Sequence, residues 1–513
     1  LLKTLEGGGQ NLLRWSKDGT KIYFEQGKNL FQIELPSKTI TQLANFDSWQ
    51  FTRLRSDISP DEERLAFIAK QDGKSDIWIT SKNGENPVRL TNDNFEEGYL
   101  VWHPDGKRII YDSVRNGISQ IFAAELDGSA PVQLIFSDNP NYVSDISPDG
   151  NRIIYHSQRD ESDIWKVSLD DSKEIRLSEN ISAEMWTDSS PDGKSFVYQA
   201  EKTVDVSRRI VNSLIFSQSS EGGQPLQLTD DGYLPMWSPN GKNIAFLRSS
   251  EGLTNLWTVP SAGGESRPLT YDGITFGGYA MLPFNRVQTQ DYQWSPDGSQ
   301  IVFCARRGNI SNLWQTESNG GGEQQLTENS DNRMWFNNPA FSPDGQKIAF
   351  LALAMPTIEQ KERKWSVQIY EAGKTKTLYE SDKILGIIGW SETGKEIYLK
   401  TSKTGKATSP FAEEVEIFQV SAENGAARPL FHLESAYLKN ISLSPDKQSI
   451  GYVGRKDGMD GIRIFSIKNG TERTVLQSND SRVYFANIAW SADNKTIFFS
   501  KQLSWQIFSM IEN

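Results

Sequence analysis

The sequence predicts an all-β chain folded as a β-propeller, and two observations predict it. The first is a pattern that returns eleven times: an apolar residue, Ser-Pro-Asp-Gly or a close variant, a polar residue or two, then a β-branched and aromatic run. Its copies begin at Trp15, Ile58, Trp102, Ile146, Ser189, Trp237, Trp294, Phe341, Trp390, Leu443 and Trp490, and are numbered repeats 1 to 11 below. The second is the step from copy to copy, 43 to 57 residues. That is the size of a supersecondary unit that cannot bury its apolar face alone and must stack on its neighbours.

Each element follows from local chemistry. In repeat 7, Trp294 ends strand A. Ser295-Pro296-Asp297-Gly298 then makes a tight turn, because proline presets φ, aspartate bonds its own backbone and glycine accepts φ > 0. Gln300 to Phe303 is strand B, Arg306 to Asn309 a polar loop, Asn312-Leu313-Trp314 the start of strand C, and Gln325-Leu326-Thr327 a short strand D. Strand C recurs at Asp76-Ile77-Trp78, Asp163-Ile164-Trp165 and Asn255-Leu256-Trp257; strand D recurs around Leu90, Leu177 and Leu269. The chain is read as eleven four-stranded blades.

Eleven exceeds the four to eight blades usual in one ring, so two rings in tandem are expected, of about six and five blades. The longest step, from Trp237 to Trp294, marks the crossover and gives a first propeller over 1–262 and a second over 263–513. Lys3-Thr4-Leu5 would supply the strand D that closes the first ring. Arg267 to Thr270 would close the second against the final strand C at Trp505 to Met510.

Composition excludes several functions. The net charge of −12 argues against a nucleic-acid or anionic-membrane surface. No apolar run is long enough to span a bilayer. The single cysteine, Cys304, reads as a buried strand residue. The three histidines, His103, His156 and His432, lie in different blades, without metal-ligand spacing or a nucleophile motif. The chain is therefore read as non-catalytic. Asp149, Asp192, Asp297 and Asp344 belong to the repeated turn. No cofactor is expected; a calcium ion held on a central axis by ring-lining carboxylates or carbonyls is the one exception the fold leaves room for.

In a propeller the D–A connectors and B–C loops share one face, and loops on a rigid scaffold carry function. The connectors hold aromatics beside charges: Trp49 with Asp47, Tyr99 with Glu96 and Glu97, Trp186 with Glu184, Tyr233 with Asp231, Phe284 with Arg286, Trp335 with Arg333, and Tyr484 with Arg482. Trp49, Tyr99, Trp186, Tyr233, Phe284, Arg286, Arg333, Trp335 and Tyr484 form the candidate ligand-binding set, since aromatics and arginine dominate binding hot spots. Residues 274–293, 354–365 and 401–414 lengthen loops on this face. Two of these insertions bring basic clusters (Lys361, Arg363, Lys364; Lys400, Lys403, Lys406) suited to an acidic or peptide-like partner.

The WSPDG-type turns, as at Trp294 to Gly298 and Phe341 to Gly345, together with the Ile-Trp of strand C and Leu-Thr of strand D, resemble TolB-like propeller repeats. The resemblance runs over essentially the whole chain, and repeat 9 departs most, with Glu392 and Thr393 in place of Pro and Asp. It implies a periplasmic or extracellular place in the bacterial envelope, with anchoring through a segment outside this chain. It implies binding or sensing of a protein, peptide or small ligand, as in the outer parts of membrane-anchored regulators. The alternative it implies is a gating propeller of a larger peptidase or other hydrolase.

Overall fold

A computed structural model of the chain describes residues 13–26, 28–49, 55–71, 74–93, 95–115, 118–137, 139–178, 183–205, 210–250, 253–274, 292–356, 363–402 and 413–512. It is all-β, without a helix among the described residues, and its sheets are propeller blades. In repeat 7 the strands Tyr292–Trp294, Gln300–Arg307, Ile310–Glu317 and Glu323–Gln325 pair antiparallel in that order, as expected.

Two local devices explain why the motif repeats. In the turn, Ser295 Oγ donates to Asp297 Oδ1 (2.6 Å), the Ser299 amide donates to the same oxygen (3.0 Å) and the Gln300 amide to Ser295 Oγ (3.0 Å), while Gly298 sits at φ +71°. Ser147, Ser190, Ser342 and Ser491 bond Asp149, Asp192, Asp344 and Asp493 in the same way. These bonds, the serine hydroxyl first, hold Asp149, Asp192, Asp297 and Asp344 below the usual carboxylate range. The second device accounts for the Leu-Thr of strand D. The hydroxyl of Thr91, Ser178, Thr270 or Thr327 accepts the amide of Ile77, Ile164, Leu256 or Leu313 in strand C, at 2.8 to 2.9 Å.

The chain forms two compact units. The smaller is 1–160 with 203–211 and 504–513; the larger is 161–202 with 212–503. The division expected after residue 262 is not the one the contacts make. Repeats 6 and 7 pack directly, Leu247 and Leu256 against Tyr292, Trp294 and Ile301. Arg267–Pro268 pairs with Trp257 and Thr258 of its own blade and not with the final strand. The chain passes from one unit to the other at 160–161, 202–203, 211–212 and 503–504, and the first and last of these passages fall inside unusually long strands. Arg152–Ser168 and Thr496–Glu512 each run through strands B and C without the usual hairpin. Lys3-Thr4-Leu5 lies outside the described residues.

Within the larger unit, apolar seams join repeats 5 to 11 in order: Val197 meets Trp237, Cys304 meets Phe350, Leu351 meets Trp390, Ile417 meets Tyr452 and Val453 meets Trp490. Phe498 of repeat 11 then stacks on Phe196 of repeat 5, ring centroids 5.3 Å apart, and the cycle closes. Within the smaller unit, seams join repeats 1 to 4 through Leu30 and Phe67, Ile68 and Tyr111, and Ile121 and Ile153. Arg14 of repeat 1 meets Asp145 of repeat 4 at 3.1 Å.

Candidate functional site

In repeats 1, 3 and 5 the fifth residue of strand B hydrogen-bonds the inner strand A of the following blade. Glu25 Oε1 accepts from Ser56 Oγ (2.5 Å), Asp112 Oδ1 from the Val143 amide (3.3 Å), and Gln199 Oε1 from the Leu234 amide (3.1 Å). In repeat 9 this register holds Lys400. Lys400 pairs across the sheet with Gly386, where a Cβ would approach Lys400 Cε to 2.8 Å, so glycine leaves the lysine room to lie against strand A. With Thr187, Asn338, Asn440, Ser442 and Asn487 it lines a cavity of about 150 Å³ inside the larger unit. Among the described residues no hydrogen bond or ion pair holds the Lys400 ammonium. Protein surrounds its side chain, which keeps partial solvent contact, and burial alone brings its ammonium down to about 8.

The lining strands are tied to one another. Asn338 Oδ1 accepts from the Ile387 amide (2.8 Å), Asn440 Oδ1 from the Asn487 amide (3.1 Å), and Thr187 Oγ1 donates to the Asn487 carbonyl (3.0 Å). The lining contains no aspartate or glutamate; its polar side chains besides Lys400 are those of asparagine, threonine and serine. Sequence reasoning grouped Lys400 with the loop cations Lys403 and Lys406; the structure places it inside the strand Glu396–Ser402. The available signal was its register, the one occupied by Glu25, Asp112 and Gln199. Lys364 is paired with Glu380 at 2.7 Å, and Lys361, Lys403 and Lys406 lie outside the described residues.

The connector aromatics divide into two kinds. Trp49 wedges between Phe67 and Trp78, ring centroids 5.1 and 4.9 Å away, and serves the core. The Tyr233 hydroxyl bonds Ser249 and Thr254. Trp186 is half-buried at φ +58° beside the cavity residue Thr187. Three others lie beneath guanidinium groups: Tyr99 under Arg55 (4.2 Å), Trp335 under Arg306 (3.9 Å) and Tyr484 under Arg455 (4.8 Å). Tyr99 and Tyr484 are 50% and 39% exposed. Arg333 is exposed and held by Asp331 at 2.6 Å. Phe284 and Arg286 lie outside the described residues.

The titratable groups are dispersed. His103 Nε2 lies 3.1 Å from the Gly150 carbonyl, His156 stacks on Tyr142, and His432 lies 3.7 Å from Glu414. Cys304 is buried. Carboxylate oxygens of Asp76, Asp93 and Glu97 gather within 4.8 Å of one another. Arg89 binds Asp76, Arg115 binds Asp93 (3.1 Å), and burial first, then those neighbouring carboxylates, pushes Glu97 up to about 9. Sequence reasoning did not single out this cluster, whose members come from strands C and A and the connector between blades.

Residues 13–214 match the TolB beta propeller domain family. The chain is 30% identical over 116 residues to the Tol-Pal system protein TolB of Anaeromyxobacter dehalogenans, 22% of this chain and 24% of that protein. It is 26% identical over 121 residues to the uncharacterized peptidase YuxL of Bacillus subtilis, 22% of this chain and 16% of that one. It thus spans about a quarter or less of the length of these relatives. Among solved structures, TolB from Acinetobacter baumannii superposes with a TM-score of 0.38 at 14% identity, covering 74% of this chain and 79% of that one. Family match, turn chemistry and blade sheets agree that residues 13–214 carry TolB-like β-propeller repeats.

Proposed function

We propose that this chain is a non-catalytic binding module of a bacterial cell-envelope protein, periplasmic or extracellular, that takes a protein or peptide partner on its connector loops. The observation that carries the reading is the set of arginine-capped aromatics, Tyr99, Trp335 and Tyr484. Each is preorganised by a cation–π contact, which orders a large recognition side chain before a partner arrives. No helix among the described residues is long and apolar enough to cross a membrane.

The test is capture of a partner from envelope extract, its identification, and calorimetry with the purified pair. Tyr484→Ala or Trp335→Ala is expected to weaken binding by about 2 kcal/mol or more, the scale of a truncated hot spot. Affinity unchanged in both variants removes the connector loops as the binding surface. A second reading, a gating propeller joined to a hydrolase, is favoured by the match to the peptidase YuxL. Hydrolysis of peptide or ester substrates by this chain, lost on replacing His156 or His432, would overturn the non-catalytic reading.

A further inference from the structure

We propose that the cavity around Lys400 is a binding site for a small oxyanion, a carboxylate or phosphate group. The site is distinct from the connector loops and does not depend on them.

The argument begins with charge. A lysine held largely among protein atoms at a cavity wall without a counter-ion carries its charge at a cost that a bound anion would offset. Among the described residues nothing pairs Lys400, and the lining brings no aspartate or glutamate that would repel an anion. The second strand of the argument is register. Where Glu25, Asp112 and Gln199 present an acceptor to the next inner strand, Lys400 can only donate. The acceptor that those blades supply from within is replaced here by a cation at the wall of a cavity.

The remaining walls suit the same ligand. Asn338 Oδ1 is taken by the Ile387 amide, which leaves Asn338 its amide hydrogens as donors. Ser442 adds a hydroxyl, whereas that of Thr187 is already given to the Asn487 carbonyl. The cavity of about 150 Å³ has room for one phosphate or one short carboxylate. Gly386 completes the site by leaving the lysine its place against strand A.

The experiment is calorimetric titration of the whole chain with inorganic phosphate and, separately, with acetate, at fixed ionic strength set by chloride. The expected result is saturable one-to-one uptake of at least one probe, weakened tenfold or more in Lys400→Met. Asn338→Asp keeps the oxygen that accepts from Ile387 but adds a negative charge, and is expected to abolish uptake; it also provides the reading if Lys400→Met fails to fold. Phosphate uptake without acetate identifies a phosphate ligand, and the reverse a carboxylate. Absence of saturable uptake by the parent chain, or equal uptake by the parent and a folded variant, overturns the proposal. Variants of Tyr484 or Trp335 should leave the titration unchanged, which separates this site from the partner surface.

Discussion

The two units tie their inner strands together by the same geometry and different chemistry. In the smaller unit the ties are carboxylates: Asp57 accepts the Trp102 amide at 2.7 Å, Asp112 that of Val143, and Glu25 the Ser56 hydroxyl. In the larger unit most are side-chain amides: Gln199 accepts from Leu234, Gln293 from Phe341, Asn338 from Ile387 and Asn440 from Asn487. Asp188, which accepts the Trp237 amide at 2.7 Å, is a carboxylate among them. Where a side chain ties neighbouring blades as an acceptor, it therefore does so charged or neutral. Ionisation adds only a dependence on pH, because a buried carboxylate is harder to ionise than a solvated one.

The largest expected effect falls on Asp112. Burial pushes its carboxyl up to about 7, against the pull of its amide donors and Arg55. A folded value above the ordinary 3.9 means that its contribution to stability is full below pH 4 and is lost as pH rises through 7. Asp112→Asn keeps the acceptor and never ionises. It should stabilise the smaller unit by about 3–4 kcal/mol at pH 8.5 and by little at pH 3.5. Urea unfolding at the two pH values measures this, and a pH-independent difference would break the comparison.

Asp188 tests whether the same rule holds in the larger unit. Its carboxyl, pushed up by burial to about 6, should lose its contribution as pH rises through 6. Asp188→Asn should therefore gain about 2–3 kcal/mol at pH 8, read as a shift in thermal midpoint relative to pH 4. Next comes a neutral tie. Asn440, 3% exposed, caps Asn487, and Asn440→Ala should cost about 1–3 kcal/mol at every pH, so any slope with pH in chemical denaturation counts against a neutral staple. The smallest effect is expected at Arg333, whose exposed pair with Asp331 lies outside both sets of ties. Arg333→Ala should leave the thermal midpoint unchanged, and a lowered midpoint would assign it a structural role.

Much of the fold could be read from the sequence because its signals are local. Ser295, Asp297 and Gly298 act within one turn, and Thr327 acts on its own blade, so their chemistry recurs wherever the spacing recurs. The division into units could not be read. The strand Arg152–Ser168 has 17 residues where repeat 3 uses Arg108–Arg115 and Ile118–Glu125. Straightening a hairpin into one strand leaves the period unchanged, so the spacing carries no trace of it. The long step before Trp294 reflects a lengthened connector, and Tyr292 and Trp294 pack across it without a break. At the candidate sites, Trp49 and Trp335 look alike in sequence. What separates them is the neighbour that each meets, the Trp78 ring for one and the Arg306 guanidinium for the other. Lys400 was hidden by its sequence neighbours Lys403 and Lys406, because a basic run reads as loop until its strand register is known.

The straightened strands also set an order of assembly during synthesis. Residues 1–160 of the smaller unit leave the ribosome first, yet that unit also includes 504–513. Between Asp160 and Ser504 lie 343 residues, nearly all of them in the larger unit. At translation rates of roughly 5–20 residues per second, the early segment waits about 17–70 s for its last piece. During that interval it depends on chaperones or on its own exposed charges to stay unaggregated, while the larger unit can finish first. Of the two units, the one begun first is thus the one completed last.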